Sequence, residues 1–306
     1  MEAINANHLV SIVLSDMNEK VGSALEGDCM FIWCGIQSPL DDELRVVIED
    51  MVSQDNDSED GLKHRLIVIL ETNGGYIEVV ERMVSVMRKH YREVYFVVPG
   101  HAYSAGTVLV LSGDKIFMDY YSVLGPIDPQ YQDEDGQLLP GAGYLAKFEE
   151  LTKRINSSRS QLPNATKAEL AFLIKRFDPA KLFHIEQAIE HGQSLVMEWL
   201  PKYKFKNWKT TRTRKRRVTA AMRRDRAKQV ARMLGKADRW HSHGRGISMR
   251  ELEASDIDLL IDDFGQDPEV NEHIRNYHGL AVDFARKMGY RGFIHTKGQS
   301  GMRQVL

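Results

Sequence analysis

The stretch "LIVILETNGGYIEVVERMVSVMRKHYREVYFVVPGHAYSAGTVLVLSGDKIFMDYYSVLGPIDPQ", Leu66–Gln130, decides the fold. It begins with an uninterrupted apolar run, Leu66–Leu70, which is typical of a strand in a parallel sheet that is covered on both faces. The apolar spacing then predicts a helix after Gly75, a strand from Glu93, a helix from about Ser104, and strands at "KIFMD" and "VLGPI". Strands and helices that alternate at these lengths predict right-handed crossovers and an α/β core.

The rest of the chain extends this core in both directions. Asp28–Gly35 is predicted to be a first strand, and Pro39 suits the first turn of the helix that follows it. Beyond residue 130, helical patterns dominate. We expect residues 1–130 to form the α/β core with the functional site, 131–180 a connection and helical insertion, and 181–306 a helical region that completes the same domain.

Composition and targeting patterns limit the classes of protein that the sequence fits. Hydrophobic residues make up 42% and charged residues 27% of the 306 residues, which is typical of a folded, soluble protein. Cys29 and Cys34 lie five positions apart on one predicted strand, so they point to opposite faces and are poorly placed to form a disulfide. The N-terminus lacks the pattern of a signal peptide, and no apolar run reaches membrane-spanning length. These features predict a cytoplasmic protein with no membrane contact.

Two glycine-bearing turns, "TNGG" and "PGHAYSAGT", follow neighbouring predicted strands and should face one crevice at the carboxyl edge of the sheet. A glycine pair leaves backbone N–H groups bare, and a helix that begins at Ser104 adds more N–H groups, which suits the binding of an oxyanion. Taken singly, each turn also fits an ordinary connection, with Ser104 as a helix N-cap. Neither turn matches a dinucleotide, P-loop or G-x-S-x-G motif.

Leu66–Gln130 resembles the ClpP/crotonase-like serine peptidases, and most closely the serine dehydrogenase proteinases, which are related to SppA and to NfeD-type peptidases. The shared pattern is the glycine pair after a strand, the serine about 30 residues later after "PGHAY", and "VLGPIDPQ" after further strands. The resemblance implies an α/β fold: a ClpP/crotonase-like spiral of β-β-α units with a parallel sheet, followed by a mainly helical C-terminal half.

The same resemblance implies a serine peptidase that hydrolyses peptides or unfolded protein segments. Ser104 matches the nucleophile that forms an acyl-enzyme, and Gly75 and Ala105 match the two N–H donors of the oxyanion hole. Asn73 and Gly74 fall where substrate binds. The resemblance implies no cofactor and no metal, and it implies a homo-oligomer.

These motifs do not identify the general base that would activate Ser104. ClpP has a histidine in the stretch that corresponds to "SVLGPIDPQ", but this chain has none there, so the resemblance favours the Ser-Lys dyads of the SppA and NfeD-type relatives. Lys181 follows a proline at the start of a long predicted helix and is the first candidate, with Lys147 and Lys175 behind it. His243, in a segment that resembles the ClpP region after the triad acid, is another candidate.

A basic segment, residues 202–239, contains 16 Lys and Arg but only two acidic residues. Its local charge of +14 leaves about −16 for the rest of the chain. Interleaved Tyr203, Phe205 and Trp208 would suit single-stranded nucleic acid, whereas the apolar spacing suits a helix packed within or between subunits, which we favour. The alternatives to a peptidase are therefore a ClpP-fold scaffold that binds nucleic acid through this segment, and a crotonase-like enzyme that acts on acyl-thioesters without Ser104.

Overall fold

The computed structural model describes residues 5–53, 61–128, 130–132, 138–157, 164–211, 215–236, 245–297 and 301–305. The strands are β1 Asp28–Trp33, β2 Lys63–Glu71, β3 Tyr91–Val97, β4 His101–Ala102, β5 Lys115–Met118, β6 Val123–Leu124, β7 Gln130–Gln132, β8 Leu138–Pro140, β9 Ile247–Ser248, β10 Asp262–Asp263, β11 Phe293–Thr296 and β12 Met302–Gln304. The helices are α1 Ala6–Ala24, α2 Leu40–Ser53, α3 Ile77–His90, α4 Ala105–Leu111, α5 Gly141–Ser157, α6 Asn164–Ile174, α7 Pro179–Lys202, α8 Ala220–Leu234, α9 Met249–Glu253 and α10 Pro268–Lys287, with a 3-10 turn at Phe264–Gln266.

A seven-stranded sheet forms the centre of the molecule, in the order β10-β5-β3-β2-β1-β11-β12. The five strands from β10 to β1 are parallel, whereas β11 and β12 are antiparallel to their neighbours. Because parallel strands need long crossovers, α2 and α3 connect β1 to β2 and β2 to β3. The predicted α/β core with a parallel sheet is confirmed.

A second, small sheet has the order β4-β6-β9 and lies beyond the carboxyl ends of β3 and β5. The chain therefore repeats one unit: a central strand, a short strand in the small sheet, and then a helix. The unit occurs as β3-β4-α4 and, with the hairpin β7-β8 inserted before the helix, as β5-β6-α5. This repeat is the expected spiral of β-β-α units, and the helices from α5 to α10 make the second half mainly helical. The predicted fold class is confirmed.

The two faces of the central sheet bury separate apolar cores. Cys34 belongs to the core that β1–β3 form with α2, α3, α4, α7 and α8, and Cys29 belongs to the core under α1 and α10. Both cysteines are buried and free, so the expectation that they point to opposite faces is confirmed. Burial raises the pKa of the Cys34 thiol to about 12, so this thiol stays protonated at neutral pH.

Three elements depart from the sequence expectations. The N-terminal helix α1 and the closing hairpin β11-β12 are not predicted, although β11 pairs with β1 over Met30–Trp33 and completes the sheet. The connection after residue 130 contains the short hairpin β7-β8. Within the described ranges, no helix combines the length and the apolar composition that crossing a bilayer requires.

Candidate active site

The two glycine-bearing turns meet at the carboxyl edge of the sheet, as predicted. Thr72 forms a parallel bridge with Ala102, in which the Thr72 N–H donates to His101 O and the Tyr103 N–H donates to Thr72 O, each at 3.0 Å. This bridge extends strand pairing past the ends of β2 and β3. As a result, the turn at Gly74 lies directly against Ser104.

Gly74 and Gly75 are required by this close approach. A Cβ on Gly74 would lie 2.6 Å from the Tyr103 carbonyl oxygen and 2.9 Å from Ser104 Cβ, and its φ of +95° is unfavourable for any other residue. A Cβ on Gly75 would lie 1.9 Å from the carbonyl oxygen of Ile36. Both positions therefore exclude a side chain, which brings bare backbone next to the serine.

Ser104 occupies the N-cap position of α4, but its side chain does not cap the helix. Its hydroxyl instead donates to the backbone carbonyl oxygen of Asp128 at 3.0 Å. Its backbone has φ +52° and ψ −116°, which is strained for a residue with a side chain. Ser104 is 8% exposed. The arrangement holds a hydroxyl at a helix start at the cost of backbone strain, as at reactive positions in other proteins.

The backbone around Gly75 leaves its N–H directed away from the neighbouring strand. Ile36 and Gly75 form a parallel β-bridge, in which the Ile36 N–H donates to Gly74 O and the Tyr76 N–H donates to Ile36 O, each at 2.8 Å. The bridge thus uses the backbone groups of Gly74 and Tyr76 and leaves the Gly75 N–H unused. Ala105 provides the first N–H of α4, and its nitrogen would lie 3.4 Å from a Cβ on Gly74. In the described part of the chain, neither the Gly75 N–H nor the Ala105 N–H has a hydrogen-bond partner.

Thr107 ties the third motif to the serine helix, a role that the sequence analysis missed. Its Oγ1 lies 2.8 Å from the carbonyl oxygens of both Ala102 and Gly125 and accepts a bond from the Gly125 N–H at 3.0 Å. This bonding fixes "VLGPI" beside α4, which brings the Asp128 carbonyl to Ser104. The available signal was a threonine in an otherwise apolar, buried helix.

A polar cluster supports both turns from the α10 side of the sheet. Glu71, the last residue of β2, accepts from Trp33 Nε1 at 3.1 Å and pairs with His278 Nε2 at 2.8 Å. Burial alone would raise the pKa of Glu71, but the hydrogen bond and charge of His278, with further contributions from His101 and Trp33, hold that pKa below its usual value.

His101 and Asn73 link the two turns directly. His101 Nε2 lies 3.0 Å from Asn73 Oδ1, and the imidazole stacks on Tyr103 with ring centroids 4.8 Å apart. Burial is the main cause that lowers the pKa of His101, which favours the neutral ring. The Asn73 side chain, expected to bind substrate, is thus bonded to the serine loop.

The candidate bases do not meet Ser104 in the described residues. Lys181 lies half-buried in the first turn of α7, after the N-cap Asp178, and no hydrogen bond joins it to Ser104. Lys147 is exposed and pairs with Glu150 at 2.9 Å, and Lys175 is exposed. His243 lies outside the described residues.

The aromatic residues of the basic segment are used inside the fold. Tyr203 lies under the Arg88 guanidinium, 3.6 Å from ring centroid to Cζ, and Phe205 is buried. Trp208 is half-buried and packs against the apolar core. All three rings are engaged in packing or cation–π contacts within the chain, so the structure favours the packing interpretation of this segment.

Comparison with known proteins agrees with this geometry. Residues 60–147, which include Ser104 and both glycines, match the family described as ClpP-like SDH-type serine proteinases. The predicted resemblance is thereby confirmed for this part of the chain.

The two curated relatives cover less of the chain than this family match. Two uncharacterised proteins of Methanocaldococcus jannaschii are 40% and 33% identical to this chain over 63 residues, which is 21% of this chain and 22% of each relative. The chain thus matches about a fifth of the length of these relatives.

Among solved structures, the ClpP protease catalytic domain from Plasmodium falciparum is 12% identical, with a TM-score of 0.29 over 40% of this chain and 61% of that one. A mutant of ClpP1 from Listeria monocytogenes is 13% identical, with a TM-score of 0.27 over 38% of this chain and 58% of that one.

Proposed function

We propose that this protein is a serine peptidase that cleaves peptide bonds in peptides or unfolded protein segments through a Ser104 acyl-enzyme. The observation that carries the proposal is the geometry of Ser104: a strained, non-capping serine at the start of α4, pressed against a glycine turn with a bare N–H. An N-cap alone would need neither the strain nor the glycine pair.

The proposed reaction follows from these groups. A base removes the Ser104 proton while Oγ attacks the carbonyl carbon of the scissile peptide bond. The Gly75 and Ala105 N–H groups donate to the oxyanion of the tetrahedral intermediate, and each such donor contributes about 100- to 1,000-fold in rate. The C–N bond then breaks as the amine leaves with the proton, and water hydrolyses the ester to release Ser104.

The resting hydrogen bond of Ser104 constrains this mechanism. Its hydroxyl donates to the Asp128 carbonyl, which cannot act as a base, so the hydroxyl must rotate away before it is activated. We propose Lys181 as the base, because among Lys147, Lys175 and Lys181 it alone is shielded from solvent. A general base in this role must accept the Ser104 proton, which requires a neutral amine.

The test is labelling by a serine-directed fluorophosphonate, read by intact mass, with casein hydrolysis as the activity readout. Ser104→Ala should abolish both. Ser112→Ala is the matched control, since Ser112 is a buried serine at the other end of α4 whose hydroxyl bonds the Leu109 carbonyl at 2.6 Å. Undiminished labelling or hydrolysis in Ser104→Ala would contradict the proposal, and hydrolysis of acyl-thioesters alone by that variant would favour the crotonase-like alternative.

A further inference from the structure

A cavity of about 850 Å³ opens at the edge of the central sheet opposite Ser104. It is lined by Glu93 and Tyr95 of β3 and by Lys115, the first residue of β5, whereas Ser104 lies beyond the carboxyl end of β3. Residues 203–211, α8 and residues 255–262 supply the walls. The volume lies in the range of small-molecule sites, roughly 300–1,000 Å³.

The walls combine aromatic rings with ionisable groups. The apolar lining consists of Tyr95, Tyr203, Phe205, Trp208, Met222 and Leu260. Flat rings around a cavity of this size suit a planar, apolar body. The charged groups then determine which polar group that body should carry.

Each carboxylate in the wall already has a cationic partner. Glu93 pairs with Arg65 at 3.0 Å, and Asp114 pairs with both Arg88 and Lys206. Asp258 pairs with Arg226 at 3.2 Å, and Asp262 lies 4.0 Å from Lys115. These carboxylates are therefore neutralised by the protein itself.

Lys204 is different from these cations. Across the described ranges, no carboxylate lies within ion-pair distance of its ammonium group. Burial lowers its pKa to about 8, although Asp262 and Asp114 act in the opposite direction and Lys115 adds to the lowering. An ammonium held in this way is destabilised by desolvation, and an anion in the cavity would relieve that cost.

We propose that this cavity binds a small carboxylate with a flat apolar body, whose carboxylate pairs with Lys204 and whose body lies against Phe205 and Trp208. In the described residues, Lys204 and Lys209 are the wall cations without an ion pair, but Lys209 is exposed whereas Lys204 is half-buried. One shielded cation thus matches one negative charge, and the paired carboxylates around it disfavour multiply charged anions. The lining of the cavity includes none of Ser104, Gly75, Ala105 and Lys181, so the site does not depend on the proposed peptidase activity.

The probe is 2-naphthoate, titrated calorimetrically into the full chain at pH 7, with neutral 2-naphthamide as its isostere. We expect 2-naphthoate to bind the wild type and Ser104→Ala alike, and the loss of the charge-assisted bond in Lys204→Met to weaken binding roughly 10- to 100-fold. Lys204→Arg, which keeps the charge, should retain binding. Lys202→Met is the matched control, because Lys202 is exposed on the same segment and pairs with Glu198 instead.

A shift to pH 9.5 provides a second readout. Lys204 loses its charge above its pKa of about 8, so 2-naphthoate should bind more weakly there while 2-naphthamide binding is unchanged. Three results would each overturn the proposal: no binding of 2-naphthoate at millimolar concentration, equal affinity in Lys204→Met, or equal affinity for 2-naphthamide. Lys204→Arg and the pH shift test the charge without shortening the side chain, so together they distinguish a loss of charge from a folding defect in Lys204→Met.

Discussion

Ser104 stands at the N-cap position of α4 without capping the helix. A serine at this position usually accepts a hydrogen bond from the helix backbone, but Ser104 leaves the cap unused and bonds the Asp128 carbonyl. The close contact with Gly74 and the φ of +52° at Ser104 belong to the same arrangement. Because the hydroxyl is not used for capping, its rotation away from the Asp128 carbonyl would not cost the helix its cap.

The base can be tested by comparing three lysines. Lys181→Met should lower kcat by about 100-fold or more, which is the usual contribution of a general base. Lys181→Arg should be equally impaired, since a guanidinium stays protonated. Lys147→Met and Lys175→Met are matched controls on exposed sites and should keep wild-type activity. Full activity in Lys181→Met, with an unchanged urea midpoint, would exclude this residue as the base.

At the scale of elements, the site depends on contacts between strand ends and α10. Glu71 ends β2 just before the glycine turn, and His278 reaches it from α10. The carboxylate also lies against the serine loop, because a Cβ on Gly100 would lie 2.1 Å from Glu71 Oε2. The Glu71–His278 pair therefore supports both glycine-bearing turns from the α10 side of the sheet.

We expect Glu71→Gln to lower the free energy of unfolding by about 1–3 kcal/mol at pH 7, because it weakens a charge-assisted bond at a largely buried site. The pKa of Glu71 is lower in the folded protein, so its stabilising contribution is complete above the unfolded value of about 4.3 and is lost as the pH falls through the folded value. Urea denaturation at pH 7 and below pH 4 should show the difference from wild type closing in acid.

Glu269→Gln is the control for this experiment. Glu269 is exposed on the same helix and lies 3.7 Å from His273. We expect this surface pair to contribute little to the free energy of unfolding. The substitution should leave the unfolding free energy unchanged at both pH values. A difference between Glu71→Gln and wild type that persists undiminished in acid would contradict the role given to the Glu71 carboxylate.

The sequence predicts those elements whose periodicity is local. The strand around Leu66–Leu70 and helices α3 and α4 carry clear apolar patterns, so their place in a parallel sheet follows. By contrast, α1 buries the polar Asn18, which bonds the Tyr277 hydroxyl at 2.9 Å, while Ile12 stays exposed, so its pattern misleads.

The remaining elements depend on partners distant in sequence. β11 is four residues long and contains a fully buried histidine, His295, whose pKa burial lowers to about 4. Its partner β1 lies some 260 residues away, so nothing local marks it as a sheet strand. The same limit applies to the site. Ser104 and the glycine turns follow from motifs, whereas no local pattern tells whether Lys181 on α7 can approach Ser104.

At the scale of the whole molecule, the uneven charge has a clear location. The exposed residues Arg224, Lys228 and Arg232 are spaced four apart and form a cationic ridge along α8. Like charges at this spacing repel, so they weaken the isolated helix. The rest of the chain carries an opposite excess of about −16. An acidic surface on a second copy of the chain would offset this repulsion.

We therefore expect a homo-oligomer whose assembly uses this ridge and weakens in salt. Sedimentation velocity should show a shift to smaller species in Arg224→Glu/Lys228→Glu, and in the wild type at 1 M salt, where the screening length falls to about 3 Å. Lys20→Glu/Lys287→Glu changes the net charge equally at two exposed lysines on other helices and should assemble normally. A wild type that sediments as a monomer would contradict the oligomer. Low-salt binding of single-stranded DNA that only the ridge variant loses would assign the ridge to nucleic acid instead.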